Sequence, residues 1–135
     1  MEAQFRRDLV EWLRGDRTLE LRINAFEEES PLEAHPPYAG IVASAAIDWS
    51  CKSHAGREVR IAIEAVERHE ATTRLTDTIA VIERRIAALP SERAGYRIVA
   101  LQFLRSRVER RARHLRAGLI EYRFRLIETP LEIRR

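Results

Sequence analysis

The chain is short of the residues that most often carry chemistry. Among its 135 residues there is a single cysteine, Cys51, so no disulfide can form within one copy, and a reducing, cytosolic origin fits. Lys52 is the only lysine among 24 basic residues; arginine supplies the rest. That usage fits a GC-rich genome, and equally a subunit seam, where the guanidinium fork holds carboxylates in fixed geometry. The five glycines are scattered as turn punctuation and strand breaks, so no phosphate-cradling loop exists, and no serine sits in a nucleophile elbow. No apolar run reaches the roughly 18 residues needed to cross a bilayer, and the N-terminus shows no signal-peptide core. A soluble intracellular product is expected, with 45% hydrophobic residues for a core and an unusually charged exterior at 33%. The length suits one domain, 1–135.

What is present is an ordered series of patterned segments. Phe5, Leu9, Trp12 and Leu13 make one helical stripe, which predicts a helix from Glu2 to Arg14 with Gly15 as its C-cap. Leu19, Leu21 and Ile23 alternate with Glu20 and Arg22, the pattern of a short strand. Residues 24–37, with Glu27-Glu28-Glu29 and three prolines, read as a long loop. From Tyr38, alternation places Ile41, Ala43, Ala45, Ile47 and Trp49 on one face; Ser50–Gly56 turns, and Val59, Ile61, Ile63 and Ala65 return, forming an antiparallel hairpin. Thr72 or Thr73 can cap a helix carrying Leu75, Ile79, Ile82, Ile86 and Leu89 and ending at Pro90. Two heptads are too few for a coiled coil, so this helix is expected to pack across a sheet. A second hairpin runs from Tyr96 to Arg110 and back from Leu115 to Ile127. Its strands of roughly 12 residues are about twice the usual length. Thr129–Arg135 reads as a short tail. The fold class is therefore α+β, an antiparallel or mixed sheet of two long hairpins flanked by two main helices.

Few residues offer catalysis. His35, His54, His69 and His114 show no metal-ligand spacing, and a site needs three or four convergent donors. Asp48 followed by Glu64 imitates half of a nuclease core but lacks the cationic partner, so Asp48 is expected beside solvent or an arginine. Lys52 and His54 can lower the Cys51 pKa, yet a lone turn cysteine is usually incidental. No metal and no cofactor is implied, and an enzyme is not expected.

Charge is the remaining signal. Residues 97–135 hold eleven arginines against four acids, a net +7, so residues 1–96 carry −4 of the overall +3. Arg105, Arg107, Arg110, Arg111, Arg113 and Arg116 form a basic ribbon that can meet phosphates or the acidic surface of a sister subunit. The stretch from Leu104 to Gly118 lacks the interleaved aromatics that single-strand binders use for stacking, which favours subunit contacts. A small nucleic-acid-binding module using the basic hairpin 105–116 stays as the alternative.

The order of elements resembles the tail terminators of tailed phages, also called tail-completion or head–tail joining proteins, which occur in gene transfer agents too. The resemblance rests on the helix ending near Leu13, the Leu19–Ile23 segment and the acidic proline-rich loop. It continues through Pro37-Tyr38-Ala39-Gly40-Ile41, Gly56, the helix Leu75–Leu89 and the closing Glu121-Tyr122-Arg123-Phe124-Arg125. It implies a structural virion protein, a hexameric ring capping a long non-contractile, siphovirus-like tail at its head-proximal end. The partners it implies are further copies of the chain, the tail tube protein and the head-completion or connector protein. DNA would pass through the channel without sequence-specific binding, no membrane is involved, and assembly would take place in the host bacterial cytoplasm. As subunit-interface candidates the charge pattern offers Arg105, Arg107, Arg110, Arg111 and Arg113 on one side and Glu27, Glu28 and Glu29 on the other, with Ala43, Ala45 and Ala46 allowing close approach.

Overall fold

The computed structural model describes residues 1–28, 35–69 and 72–130, leaving out the side chains of Thr72 and Thr73. Helix α1 (Glu2–Arg14) and the single-turn α2 (Arg17–Glu20) lead to β1 (Phe26–Glu27), β2 (Tyr38–Asp48) and β3 (Gly56–Arg68). Helix α3 (Thr72–Ala87) then precedes β4 (Glu92–Arg93), β5 (Tyr96–Arg111) and β6 (Leu115–Glu128). All six strands join one sheet in the order β1-β2-β3-β6-β5-β4. Only β1 and β2 run parallel, so the sheet is mixed and the α+β class holds.

Register fixes which residues share a face, because directly opposed residues in an antiparallel ladder point the same way. Val59, Ile61, Ile63 and Ala65 of β3 oppose Phe124, Tyr122, Ile120 and Gly118 of β6. Phe5 of α1 packs on Phe124 and Tyr96, while Ile79 and Leu75 of α3 lie over Gly118. Both main helices therefore cover the same face of the sheet. Leu9 and Leu13 of α1 and Leu75, Ile82 and Ile86 of α3 are also buried there. Each such side chain contributes about 1.5–3 kcal/mol by leaving water. Leu89, just past α3, packs against this core, in line with the stripe read from the sequence.

A reciprocal clasp ties the helices together. Trp12 donates its indole N–H to the Arg85 carbonyl at 2.7 Å, and Arg85 Nε donates to the Trp12 carbonyl at 2.8 Å. The Arg85 guanidinium lies 3.4 Å above the Trp12 ring centroid, a cation–π contact worth roughly 1 kcal/mol. Trp12 thus leaves the buried stripe to which its spacing assigned it and serves as a platform.

Several expectations need correction. The Leu19–Ile23 segment is not a strand: Asp16 Oδ1 accepts the Leu19 N–H at 3.1 Å, which caps a helical turn, and only Leu19 of the apolar trio is buried. An aspartate cap immediately after a glycine outweighed a weak alternation. Gly15 does follow α1, but in right-handed conformation (φ −75°), so no left-handed geometry requires glycine there. The loop 24–37 contributes β1, whose Phe26 and Glu27 pair with Ala39 and Gly40. A β-bulge between Ile41 and Ala43 breaks the single face assigned to β2. Ile41 opposes Ile63 and points to the helices, whereas Ala43, Ala45 and Ile47 oppose Ala62, Arg60 and Glu58 on the open face. Alternation alone cannot show a bulge, which adds one residue and reverses everything after it. The expected Thr72 or Thr73 cap, Glu29 and residues 131–135 of the tail lie outside the described residues.

Candidate assembly surfaces on the open face and the hairpin tip

The face of the sheet away from the helices is a ladder of charges. On β3 it presents Glu58, Arg60 and Glu64, and on β6 Glu121, Arg123 and Arg125; Glu58 opposes Arg125 and Arg60 opposes Arg123, while Glu121 opposes Ala62 and Glu64 opposes Leu119. Arg125 Nε donates to Glu58 Oε1 at 3.1 Å, and Arg123 adds a longer contact of 3.7 Å to the same oxygen. Glu58 is therefore buried with two guanidinium partners rather than as an isolated charge.

The arginine ribbon lies on β5 and the turn that follows it. The strands of this hairpin are 16 and 14 residues long, longer than the periodicity indicated. β5 carries two bulges, between Ile98 and Ala100 and between Phe103 and Arg105, and the latter sets Arg105, Arg107 and Arg111 on the open face opposite Glu121, Leu119 and Leu115. Arg105 bonds Glu121, and this hydrogen bond holds the Glu121 carboxyl below its ordinary range. Arg111 reaches Glu109 at 2.7 Å and Glu64 at 3.4 Å. Two of the candidate arginines are thus partnered within the chain. Arg107, Arg110 and Arg113 are exposed, and among the described residues none has an acidic partner at salt-bridge distance. Arg113 and His114 both adopt left-handed backbone, φ 62° and 59°, with neither glycine nor asparagine to ease it. The turn chemistry of the tip is therefore unfavourable, and such backbone outliers cluster at functional sites.

The acidic candidates sit at the other end of the molecule's sequence and at the first edge of the sheet. Glu27 accepts Arg14 Nη2 at 3.1 Å, and Glu28 accepts Arg6 Nε at 3.0 Å, with Arg6 also donating to Ser44 Oγ at 3.4 Å. These are exposed pairs, worth about 0–1 kcal/mol each, so another cation can replace the present one at little cost.

Nothing described assembles a reaction centre. Asp48 bonds the Ser50 hydroxyl at 2.6 Å and Arg57 at 3.2 Å on the helix side, while Glu64 lies on the open face, so one ion cannot bridge them. Ser50 and then Arg57 hold the Asp48 carboxyl low, as the expected arginine neighbour implies. Cys51 is exposed in the β2–β3 turn, its thiol pulled down to about 6 by hydrogen bonding to Ser53 first and His54 next; Lys52, expected to help, is not a cause. Among the described residues no three His, Cys, Asp or Glu side chains are placed to hold a metal ion, and no helix is long and apolar enough to cross a membrane.

The family described as "Tail completion protein gp17" matches residues 7–127, nearly the whole chain. The chain belongs to that family. It is accordingly a structural protein of tail completion and not an enzyme. Among solved structures, a chain in the "Virion of native gene transfer agent (GTA) particle" has the same fold, with a TM-score of 0.73 and 21% sequence identity. The match covers 92% of this chain and 94% of that one. No curated protein matches.

Proposed function

We propose that the protein acts as a tail terminator: copies of the single-domain chain close into a hexameric ring at the head-proximal end of a phage or gene transfer agent tail. The ring caps the tube, meets the head connector on its other side, and leaves a channel through which DNA passes without sequence-specific binding. Family membership and the likeness to a chain of a gene transfer agent virion support this reading. The observation that carries it is the β5–β6 hairpin, whose exposed Arg107, Arg110 and Arg113 have no acidic partner in the described chain. A monomer gains little from three guanidinium groups, along β5 and on the strained turn after it, that have no acidic partner among the described residues. A subunit facing the weakly held Glu27–Glu28 patch of its neighbour gains charge-assisted contacts.

The test is charge reversal, Arg107→Glu together with Arg110→Glu and Arg113→Glu, read by electron microscopy of tail ends. Loss of the collar, with restoration by Glu27→Arg and Glu28→Arg, is expected. An unchanged collar would remove the clasp from the proposal. DNA binding by the isolated protein that weakens steeply with salt would instead favour the nucleic-acid-binding alternative.

A further inference from the structure

Among the described residues the sheet has two long unpaired edges, at its opposite sides. Beyond Arg97, where β4 ends, β5 pairs among the described residues with β6 alone. Beyond Gly40, where β1 ends, β2 pairs among the described residues with β3 alone. Unpaired strands present rows of free N–H and C=O groups and are ordinarily blunted by lysine, proline or charge. Here Ile41–Ile47 carries no charged residue and no proline, in a chain that is 33% charged. The β5 edge has neither lysine nor proline.

Exposed apolar bulk is concentrated on the same two strands. Of nine large hydrophobic residues that are exposed among the described residues, five are on β5: Val99, Leu101, Phe103, Leu104 and Val108. Val42 and Ile47 are on β2, and Trp49 follows it directly. Scattered exposed hydrophobics are normal; eight of nine along two open edges is a pattern that marks contact surfaces.

From this we infer that the β5 edge of one copy pairs with the β2 edge of the next, continuing the sheet from subunit to subunit. Strand direction agrees. β2 and β6 run the same way because each is antiparallel to β3, and β5 opposes β6, so copies related by rotation about an axis along the strands bring β5 and β2 together antiparallel. Side-chain size agrees as well, since the bulky β5 edge meets Ala43, Ser44, Ala45 and Ala46. Two β5 edges pairing with each other would oppose Arg105, Arg107 and Arg111 to their own kind, and like charges directly opposed are destabilising. Two β2 edges would offer little apolar area. Unlike edges make a head-to-tail contact that propagates and closes into a ring, whereas like edges stop at a dimer. The inference rests on the ring reading and names the surface that would build it.

Disulfide trapping tests it. In a Cys51→Ser background, single cysteines replace Ser44 or Ala46 on β2, and Leu101, Ser106 or Val108 on β5, all on the helix-side face of the sheet, and proteins are mixed in pairs under mild oxidation. The expected crosslinks join β2 cysteines to β5 cysteines, with one residue number rising as the other falls. Crosslinks only between like positions, or none, overturn the inference. Charge-blocked variants give a second reading by sedimentation: Ile47→Lys and Leu101→Lys each fail to self-associate, and their mixture forms a 1:1 dimer through the two intact edges. Self-association of either variant alone overturns the unlike pairing. Collars on tail ends without cross-edge disulfides dispose of the edge assignment alone, whereas protein that stays monomeric even with tails present disposes of the ring as well.

Discussion

Gly56 opens β3 at a point where the chain has no room for a side chain. A Cβ there would lie 2.5 Å from the Trp49 carbonyl oxygen and 3.0 Å from that of Leu126, backbone atoms on two different segments. Neither can swing away as a side chain can, so Gly56→Ala must push β3 off the turn. The movement threatens the Trp49 N–H bond to the Gly56 carbonyl at 3.0 Å and the Gly56 N–H bond to Ser50 Oγ at 2.9 Å. At about 1 kcal/mol per hydrogen bond, with overpacking added, the expected loss is about 2–4 kcal/mol. Gly118→Ala is the control. Its Cβ would come still closer, 2.4 Å, but to Ile79 Cδ1, the end of a flexible side chain. Turning Ile79 off its rotamer costs about 0.5–1.5 kcal/mol, offset by the stiffer unfolded chain that alanine gives, so the net change should stay within about 1 kcal/mol. Urea unfolding of both variants measures the difference, read as a change in midpoint at constant slope. If Gly118→Ala costs as much as Gly56→Ala, the distinction between rigid and yielding neighbours is wrong.

Two further outcomes follow from buried charge and backbone. Glu67 is 3% exposed under α3, where burial raises its pKa above 4.5 despite the Leu75 N–H and the charges of Arg116 and Arg74, and its Oε1 has no hydrogen-bond partner among the described residues. The folded state therefore holds this proton more tightly than the unfolded one, and stability falls as pH rises from about 4.5 through the raised value. Glu67→Gln should abolish that fall, stabilising the protein at pH 7 and leaving it unchanged below pH 4, as thermal melts across pH would show. His114→Gly should relieve left-handed strain at the hairpin tip and raise stability by about 1 kcal/mol in the same urea assay; a loss instead would mean that the His114 side chain is held by contacts that outweigh the strain.

The parts of the fold that could be read from residues are those where pattern and burial coincide over many positions. Phe5, Leu9 and Leu13, or Leu75, Ile79, Ile82 and Ile86, repeat along one helical face because that face is the core. The hairpins were equally legible, since Val59–Ala65 and Ile120–Leu126 alternate strictly beneath the helices. What escaped was set by single residues acting locally. Asp16 made α2 from a segment with strand-like alternation, and the bulge after Ile41 moved Ala43 and Ala45 to the other face. The candidate arginines were visible as a group, yet periodicity could not say that Arg105 and Arg111 would find Glu121, Glu109 and Glu64. Those partners depend on a register that the bulge after Phe103 resets.

The same contacts bear on why the chain uses arginine almost alone. A biased genome accounts for the count but not for the placement. Arg85 stacks on Trp12 while donating to its carbonyl; Arg14 donates to the Phe26 carbonyl at 2.7 Å while reaching Glu27; Arg6 joins Glu28 to Ser44; Arg111 joins Glu109 to Glu64. Each spans two partners with one planar fork, which a lysine ammonium on a flexible stem does not reproduce. Arg107, Arg110 and Arg113 carry the same fork with none of these internal partners. In the ring proposed above, these three, close to the end of the β5–β6 hairpin, bridge between copies, while the arginines with internal partners hold the scaffold.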